Sequence, residues 1–194
     1  EDMDDSGVGL ASAFTLRSRT AAPAAALAAG LTAEPAVAFS VEPGASAAEA
    51  RVVPTAPLAE GILYRFRLTD PTGALVGSWV YRTEHPLRVV GTVPGNESTE
   101  VPLDTGIEIE FDQDGVTNVQ AHFSIMPAVA GRFETHARTA VFVPDQPLAP
   151  AALYRVTLAA GVSMTGSDQV LEEPVTFSFE TATPGSTQAW DVGL

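Results

Sequence analysis

Cysteine and lysine are both absent from the 194 residues, and charged residues make up only 18% of the chain. Without cysteine, the chain has no disulfide, no thiol nucleophile and no cysteine-ligated zinc. Without lysine, it has neither a Schiff-base amine nor a P-loop lysine. All 10 basic residues are arginine. Together with the abundance of alanine, this bias suggests a GC-rich bacterial source.

A basic charge balance and long hydrophobic runs are also missing. The chain has 24 acidic residues and a formal charge of −14, so phosphate backbones and anionic headgroups are repelled. The most apolar stretch, residues 21–31, is too short to span a bilayer. We expect no nucleic-acid binding and no direct membrane insertion. No basic n-region precedes that stretch, so we expect an exported protein to begin here after its signal peptide.

The chain is rich in apolar residues, which make up 45%, and it contains 16 glycines and 15 prolines. Strand-length apolar runs between turn residues favour an all-β fold. Ile107, Ile109 and Phe111 alternate with Glu108 and Glu110. This period of two predicts a strand with one buried face. Residues 64–68 and 154–158 show the same alternation.

An internal repeat organises the chain. Pro57-Leu58-Ala59 and the strand 63–68 return 90 residues later as Pro147-Leu148-Ala149 and the strand 153–158. On the same interpretation, Phe-Ser-Val-Glu-Pro at 39–43 corresponds to Phe-Ser-Ile-Met-Pro at 123–127. Two tandem antiparallel β-sandwiches explain the repeat. A short helix precedes the Phe-Ser strand of each copy, at residues 24–31 and 116–122.

The predicted domains are residues 10–85, a divergent first copy, and residues 86–183, followed by an exit linker at 184–194. Each copy has a leucine six residues before a tyrosine at the start of a strand, as in a tyrosine corner. We therefore predict structural roles for Leu58, Tyr64, Leu148 and Tyr154. The predicted cores contain Phe39, Val41, Tyr64, Phe66 and Trp79 in the first copy, and Ile107, Ile109, Phe111, Phe123, Tyr154, Val156, Phe177 and Phe179 in the second.

Motifs for chemistry are sparse. Glu110, Asp112 and Asp114 stand at alternate positions before Gly115, as calcium ligands do, but the bidentate acid of a full loop is replaced by Ala121. A solvated turn explains these acids better than a calcium site. We expect no catalytic residue and no cofactor.

The three histidines share no ligand spacing. We interpret His85 as a linker residue, His136 as hairpin surface, and His122 as a packed or edge residue. Gly7-Val-Gly9 lacks the third glycine of a nucleotide-binding loop and is interpreted as a flexible lead-in. The chain also has no Gly-x-Ser-x-Gly elbow for a serine hydrolase.

Residues 87–182 resemble the bacterial Ig-like domain first described in surface-layer proteins. The resemblance rests on elements in order, among them Val101-Pro102-Leu103-Asp104, residues 107–112, Phe142-Val-Pro144 and residues 177–181. The first half resembles a more divergent copy without a clear Val-Pro-Leu-Asp strand. The resemblance implies an extracellular, cell-surface or periplasmic Ig-like pair.

The segments Pro127-Ala-Val-Ala-Gly131-Arg-Phe133 and Phe142-Val-Pro-Asp145 also resemble the amino-terminal part of large bacterial α-macroglobulin-like proteins, which are protease traps. This implies a non-catalytic scaffold or docking module whose partners are neighbouring domains, with proteases or other surface proteins reached through the full-length chain. The alternative is a cell-surface adhesion or surface-layer module. A carbohydrate-binding module is less favoured because aromatics make up only 7% and mostly alternate inward. An enzyme is the weakest hypothesis.

Overall fold

The computed structural model describes residues 3–4, 7–19 and 23–183. The predicted exit linker at 184–194 lies outside the described residues. The chain divides into two compact units, Glu1–His85 and Pro86–Leu194. No helix among the described residues is long and apolar enough to cross a membrane.

The described residues of the first unit form short strands and one five-residue helix. Its elements are β1 (Met3–Asp4), β2 (Gly7–Val8), β3 (Phe14–Arg17), α1 (Ala24–Ala28), β4 (Leu31–Glu34), β5 (Phe39–Pro43), β6 (Glu49–Pro54), β7 (Leu63–Thr69) and β8 (Leu75–Arg82). Two antiparallel sheets, β3-β6-β5 and β4-β7-β8, face each other across one core, and β1 and β2 form a hairpin. The alternation of β7 buries Tyr64, Phe66 and Leu68 and exposes Arg65 and Arg67, as predicted.

The second unit is larger and has three sheets. Its elements are β9 (Val89–Val93), β10 (Ser98–Val101), β11 (Ile107–Phe111), β12 (Val116–Thr117), α2 (Val119–His122), β13 (Phe123–Met126), β14 (Gly131–His136), β15 (Thr139–Pro144), β16 (Leu153–Leu158), β17 (Ser163–Met164), β18 (Ser167–Val170) and β19 (Val175–Thr181). The sheets are β10-β19-β16-β13, β14-β15-β11-β9 and β12-β17-β18. Every strand pair in them is antiparallel except β10 with β19. The predicted all-β sandwich class is therefore confirmed.

The cores contain most of the predicted residues. Ile107, Ile109 and Phe111 are at most 1% exposed. Phe39 and Trp79 are partly buried against the first core, and Phe123 against the second. The prediction for Val41 is wrong, because this side chain is 42% exposed. Val41 lies opposite the buried Val52 and shares its face, but β5 is an edge strand, where less of the facing sheet covers it.

Strand pairing corrects the alignment of the repeat. The sequence repeat relates Phe39–Pro43 to residues 123–127, yet β5 pairs with β6, whereas β13 pairs with β16. The strand that occupies the place of β13 in the first unit is β4, which pairs with β7. Ala33 lies opposite Phe66 as Ile125 lies opposite Val156. The similarity of five residues is too short to identify equivalent strands.

The segment Gly7-Val-Gly9 is also corrected, since it is not a flexible lead-in. Val8 is 1% exposed and makes a parallel bridge to Thr83. A Cβ placed on Gly7 would lie 2.7 Å from the carbonyl oxygen of Arg82, so only glycine fits this approach. In the second unit Val101 stands parallel to Thr181 in the same way. Val8-Gly9-Leu10 thus occupies the place of Val101-Pro102-Leu103.

Candidate functional site

The turn before β16 is held by two buried side chains. The Ala149 N–H donates to Tyr154 Oη at 2.9 Å. Thr181 Oγ1 donates to the Ala149 carbonyl at 2.6 Å and accepts from the Ala152 N–H at 3.0 Å. Tyr154 is 3% and Thr181 1% exposed. We refer to this tyrosine and threonine with their turn as the Tyr–Thr clasp.

The first unit contains the same clasp. The Ala59 N–H donates to Tyr64 Oη at 3.0 Å. Thr83 Oγ1 donates to the Ala59 carbonyl at 2.6 Å and accepts from the Ile62 N–H at 2.9 Å. Each distance is within 0.1 Å of its counterpart in the second unit. The sequence pattern predicts no role for either threonine. Thr83 directly follows β8, the last strand of the first unit, and Thr181 is the final residue of β19, the last strand of the second unit.

The two predicted leucines lie beside the clasps. Leu58 and Leu148 are 5% and 3% exposed. The N–H of Leu58 donates to the Leu10 carbonyl at 2.8 Å, and that of Leu148 to the Leu103 carbonyl at 2.7 Å. Each leucine therefore connects its clasp turn by a backbone hydrogen bond to a second segment of the chain. That segment follows β2 in the first unit and β10 in the second. The contribution of the four residues to stability stays a prediction.

The acids considered for calcium are partly engaged within the protein. Glu110 forms an ion pair with Arg138 at 3.0 Å, and Asp112 Oδ1 accepts from the Arg88 N–H at 2.9 Å. Asp114 is exposed in the turn after β11. Within residues 3–4, 7–19 and 23–183, no group of three histidine or acidic side chains is arranged to hold a metal ion. These contacts favour a turn at the end of a strand.

The histidines occupy separate places. His85, predicted as a linker residue, is instead 7% exposed, and its Cβ lies 3.4 Å from the position of a Cβ on Gly61. His122 ends α2 and packs against Gly161, where an added Cβ would lie 2.7 Å from the ring. His136 is exposed at the end of β14. The described histidines thus form no common site.

The outer face of β4-β7-β8 carries three exposed arginines, Arg65, Arg67 and Arg82, which we call the arginine face. The ion pairs formed among the described residues do not include any of the three. In the second unit, Arg155 and Thr157 of β16 correspond to Arg65 and Arg67 of β7. Glu180 corresponds to Arg82, because Glu180 lies opposite Leu153 as Arg82 lies opposite Leu63. The two units therefore differ in the charge of equivalent sheet faces.

A cleft of about 430 Å³ opens between β3 and β8 in the first unit. These strands are edges of the two facing sheets. The cleft is lined by Phe14, Thr15, Leu16, Arg17, Trp79 and Tyr81. Trp79 stacks on Phe66 at 5.7 Å between ring centroids, and Tyr81 on Phe14 at 5.8 Å. One side of each ring is thus covered by the core, while the rings remain partly exposed.

Comparison with known proteins identifies one family. The model of the bacterial Ig-like domain matches residues 83–181, about half of the chain. No curated protein matches the sequence. The matched range begins at Thr83 and ends at Thr181, the two clasp threonines, so it covers the whole strand order β9 to β19 of the second unit.

Two solved structures show a weak overall similarity. One is the Bacteroides ovatus mixed-linkage glucan utilization locus SGBP-B in complex with a mixed-linkage heptasaccharide, 15% identical with a TM-score of 0.32. The alignment covers 94% of this chain and 46% of that one, so this chain spans less than half of that protein. The other is Dpr2 Ig1-Ig2 in complex with DIP-Theta Ig1-Ig3, 9% identical with a TM-score of 0.26, covering 75% of this chain and 73% of that one.

Proposed function

Since the chain belongs to the bacterial Ig-like domain family, we propose that both units are Ig-like domains that act together as a non-catalytic scaffold and docking module. Domains of this family are generally non-catalytic. The proposed domains follow the two compact units, and because Val8 pairs with Thr83, the first domain extends upstream of residue 10. Residues 184–194 are proposed as an exit linker.

The observation that carries this proposal is the repeated Tyr–Thr clasp. The family match covers the second unit, and the first unit reproduces its clasp hydrogen bonds within 0.1 Å. The shared contacts are hydrogen bonds between buried tyrosine or threonine hydroxyls and the backbone of a turn, which hold a fold but do not transform a substrate. A module of this kind supplies fixed surfaces to other domains.

The arginine face supports a docking role over that of a passive spacer. The three arginines have no ion-pair partner among the described residues, and they form a local positive patch that attracts acidic side chains at short range, although the chain as a whole carries a charge of −14. Such attraction weakens as salt rises. The neighbouring Leu63 and Val80 side chains are 55% and 46% exposed, which adds apolar area to the same face. The partner we propose is an acidic surface of a neighbouring domain in the same protein.

The proposed parent is a bacterial α-macroglobulin-like protein at the cell surface or in the periplasm. The sequence segments 127–133 and 142–145 support it through their resemblance to the amino-terminal part of such proteins. Because this chain has no cysteine, a thioester would have to lie in another part of the parent. The second candidate is an adhesion or surface-layer module, which the family match supports equally well.

The test is to incubate the full chain with proteases and, separately, with the remaining domains of its parent protein. We expect no covalent capture and no turnover, and binding to the adjacent domains that weakens between about 50 and about 300 mM salt. Covalent capture or turnover by this chain would overturn the scaffold proposal. Absence of binding at low salt would leave a passive spacer and reject docking. A parent with surface-layer anchoring repeats would favour the second candidate.

A further inference from the structure

We propose that the arginine face recognises an extended strand of the neighbouring domain whose carboxylates stand at alternate positions. The inference rests on the proposed docking function and names the chemistry of its partner. The partner strand runs along β7 and lies over the face of the sheet, so it adds nothing to a sheet edge. Its carboxylates pair with Arg65, Arg67 and Arg82, which are all exposed.

Strand pairing fixes where the three arginines stand. Arg65 and Arg67 are two residues apart on β7, so about 6.8 Å separates them along the strand. Arg82 lies on β8 opposite Leu63, which is two more residues along β7 from Arg65. The change of strand displaces Arg82 sideways by about 4.8 Å. The arginines therefore occupy three successive rows of the sheet, nearly in line with β7.

An extended peptide has the same repeat as this row of arginines. Side chains at positions i, i+2 and i+4 of a strand point to one side and are spaced by about 6.8 Å. Three carboxylates at such positions come within reach of the three guanidinium groups at once. Each guanidinium presents a planar fork of N–H donors that fits a carboxylate, so hydrogen bonds add to the attraction between the charges. A strand with its acids at other spacings reaches fewer of the arginines.

The guanidinium groups of this face are available for new ion pairs. The ion pairs formed among the described residues include none of Arg65, Arg67 and Arg82. Even Glu34, which lies opposite Arg65 on β4, forms no ion pair with it. An acidic partner therefore does not have to displace a carboxylate that is already bound.

The equivalent face of the second unit lacks this row of arginines. Arg155 stands at the position of Arg65, but Thr157 and Glu180 occupy the other two positions. An acidic strand laid over that face would meet one arginine and would be repelled by the glutamate. We therefore expect the first unit alone to distinguish the spacing of carboxylates, and the second unit to serve as an internal comparison.

The other side chains of the arginine face favour a peptide over an acidic sugar. Leu63 and Val80 are 55% and 46% exposed, and each lies opposite one of the arginines. Among the described residues, the outward positions of β4, β7 and β8 carry no aromatic ring on which a sugar could stack. When two sheets pack face to face, apolar side chains next to the acidic strand contact such exposed leucine and valine groups.

The probes are two capped heptapeptides of the same composition, each with three glutamates and four threonines. In the first, threonine and glutamate alternate, and in the second the three glutamates are consecutive at the centre. When extended, the first presents three carboxylates on one side and the second only two. In an NMR titration of the full chain at low salt, we expect saturable shifts of the arginine Nε–H signals of the face. The alternating peptide should bind about two- to fivefold more tightly, because it gains one exposed ion pair.

Two double variants of equal charge change locate the effect. Arg67→Gln with Arg82→Gln leaves one arginine on the face, so the two peptides should then bind equally weakly. Arg88→Gln with Arg155→Gln removes two exposed arginines of the second unit and should retain the preference for the alternating peptide. All four side chains are exposed, so we expect both variants to fold as the parent chain does.

Several results would overturn the proposal. These are equal binding of the two peptides to the parent chain, no binding of either, shifts confined to the second unit, or a preference that survives in the first double variant. A trigalacturonate that binds more tightly than the alternating peptide would assign the face to an acidic sugar. Self-association of the chain that the alternating peptide abolishes would assign it to a second copy. Salt-sensitive binding of the adjacent domains without a peptide preference would keep the docking function and reject the alternating strand.

Discussion

At the scale of single residues, Tyr154 supplies the hydrogen-bond acceptor of a backbone amide. Its Oη lies 2.9 Å from the Ala149 nitrogen, and the side chain is 3% exposed. Tyr154→Phe keeps the ring in place but leaves that N–H without its partner. We expect a loss of about 1 to 3 kcal/mol in the free energy of unfolding, measured by urea denaturation of the full chain.

Two further variants make this result interpretable. Tyr64→Phe removes the equivalent hydroxyl in the first unit and should cost a similar amount. Ser124→Ala, at an exposed position of the Tyr154 sheet, should stay within about 0.5 kcal/mol of the parent chain. An unchanged urea midpoint for Tyr154→Phe would show that the hydroxyl does not stabilise the clasp.

Asp70 presents a titrating group with a defined cause. Its Oδ1 accepts from the Thr72 hydroxyl at 2.6 Å, the Ala74 N–H at 3.0 Å and the Thr72 N–H at 2.8 Å. These hydrogen bonds, that of the Thr72 hydroxyl foremost, hold the pKa of the Asp70 carboxyl below its ordinary value. Because the folded pKa is the lower one, the stabilisation is present above the unfolded pKa and is lost as pH falls through the folded pKa.

We therefore expect Thr72→Val to raise the pKa of Asp70 towards its ordinary value, as followed by NMR titration of the carboxyl group. Thr176→Val, an exposed substitution of the same kind in the second unit, should leave the pKa of Asp70 unchanged. If Asp70 titrates identically in Thr72→Val and the parent chain, the hydroxyl is not the cause of the lowered pKa.

Residue types alone predicted which side chains face inward, because period-two alternation depends on local sequence. Ile107, Ile109 and Phe111 are buried as expected. The same pattern did not predict the exposure of Val41, since the exposure of an edge strand depends on how far the other sheet extends. The threonines of the clasp were not predicted either. Their hydrogen bonds join positions that are 24 and 32 residues apart in sequence.

At the scale of elements, the clasp turns contain the same left-handed position in both units. Gly61 has φ +65° and Ala151 has φ +46°, and their N–H groups donate to the carbonyls of Glu84 and Ala182, both at 3.1 Å. Glycine adopts this backbone region without steric cost, whereas an L-residue pays about 1 to 2 kcal/mol. The first unit thus has the favourable residue and the second does not.

Exchanging the two residues should change stability in opposite directions. Gly61→Ala should destabilise by about 0.5 to 1 kcal/mol, because left-handed strain exceeds the gain from a stiffer unfolded chain, and Ala151→Gly should stabilise by a similar amount. A Cβ on Gly61 would meet His85 only at 3.4 Å, an ordinary contact, so packing adds little. Thermal or urea unfolding of both variants measures this, and changes of the same sign would contradict the explanation.

Element equivalence shows where sequence comparison stops. The offset of 90 residues correctly related the strands at β7 and β16, which share an alternating apolar pattern. The sequence comparison was wrong at residues 39–43, which resemble residues 123–127 over five positions but form a strand with a different partner. The sequence also did not predict that Val8-Gly9-Leu10 corresponds to Val101-Pro102-Leu103, because this correspondence depends on backbone hydrogen bonds and not on similar side chains. Strand partners are set by contacts between residues that are distant in sequence, so a local pattern does not reveal them.

At the scale of the whole molecule, equivalent positions allow one unit to serve as a reference for the other. Both units place an arginine at the first site of the face, Arg65 and Arg155. The next two positions differ, with Arg67 and Arg82 in the first unit against Thr157 and Glu180 in the second. The pairing of these strands needs neither arginine, because β16 and β19 of the second unit pair without an arginine at either position. The charge difference is therefore available for recognition.

The double variant Arg67→Thr with Arg82→Glu gives the first unit the residues of the second. We expect about tenfold weaker binding to the adjacent domains of the parent protein at low salt, since exposed ion pairs contribute about 0.2 to 1 kcal/mol each and about three units of charge are removed. The difference should shrink as salt rises. The free energy of unfolding should change little, because both side chains are exposed. Arg132→Thr with Arg88→Glu makes the same change of three charge units at two exposed sites of the second unit, so it is the matched control and should leave binding intact. Equal loss in the control would indicate a response to overall charge, and undiminished binding of the double variant would place docking on another face.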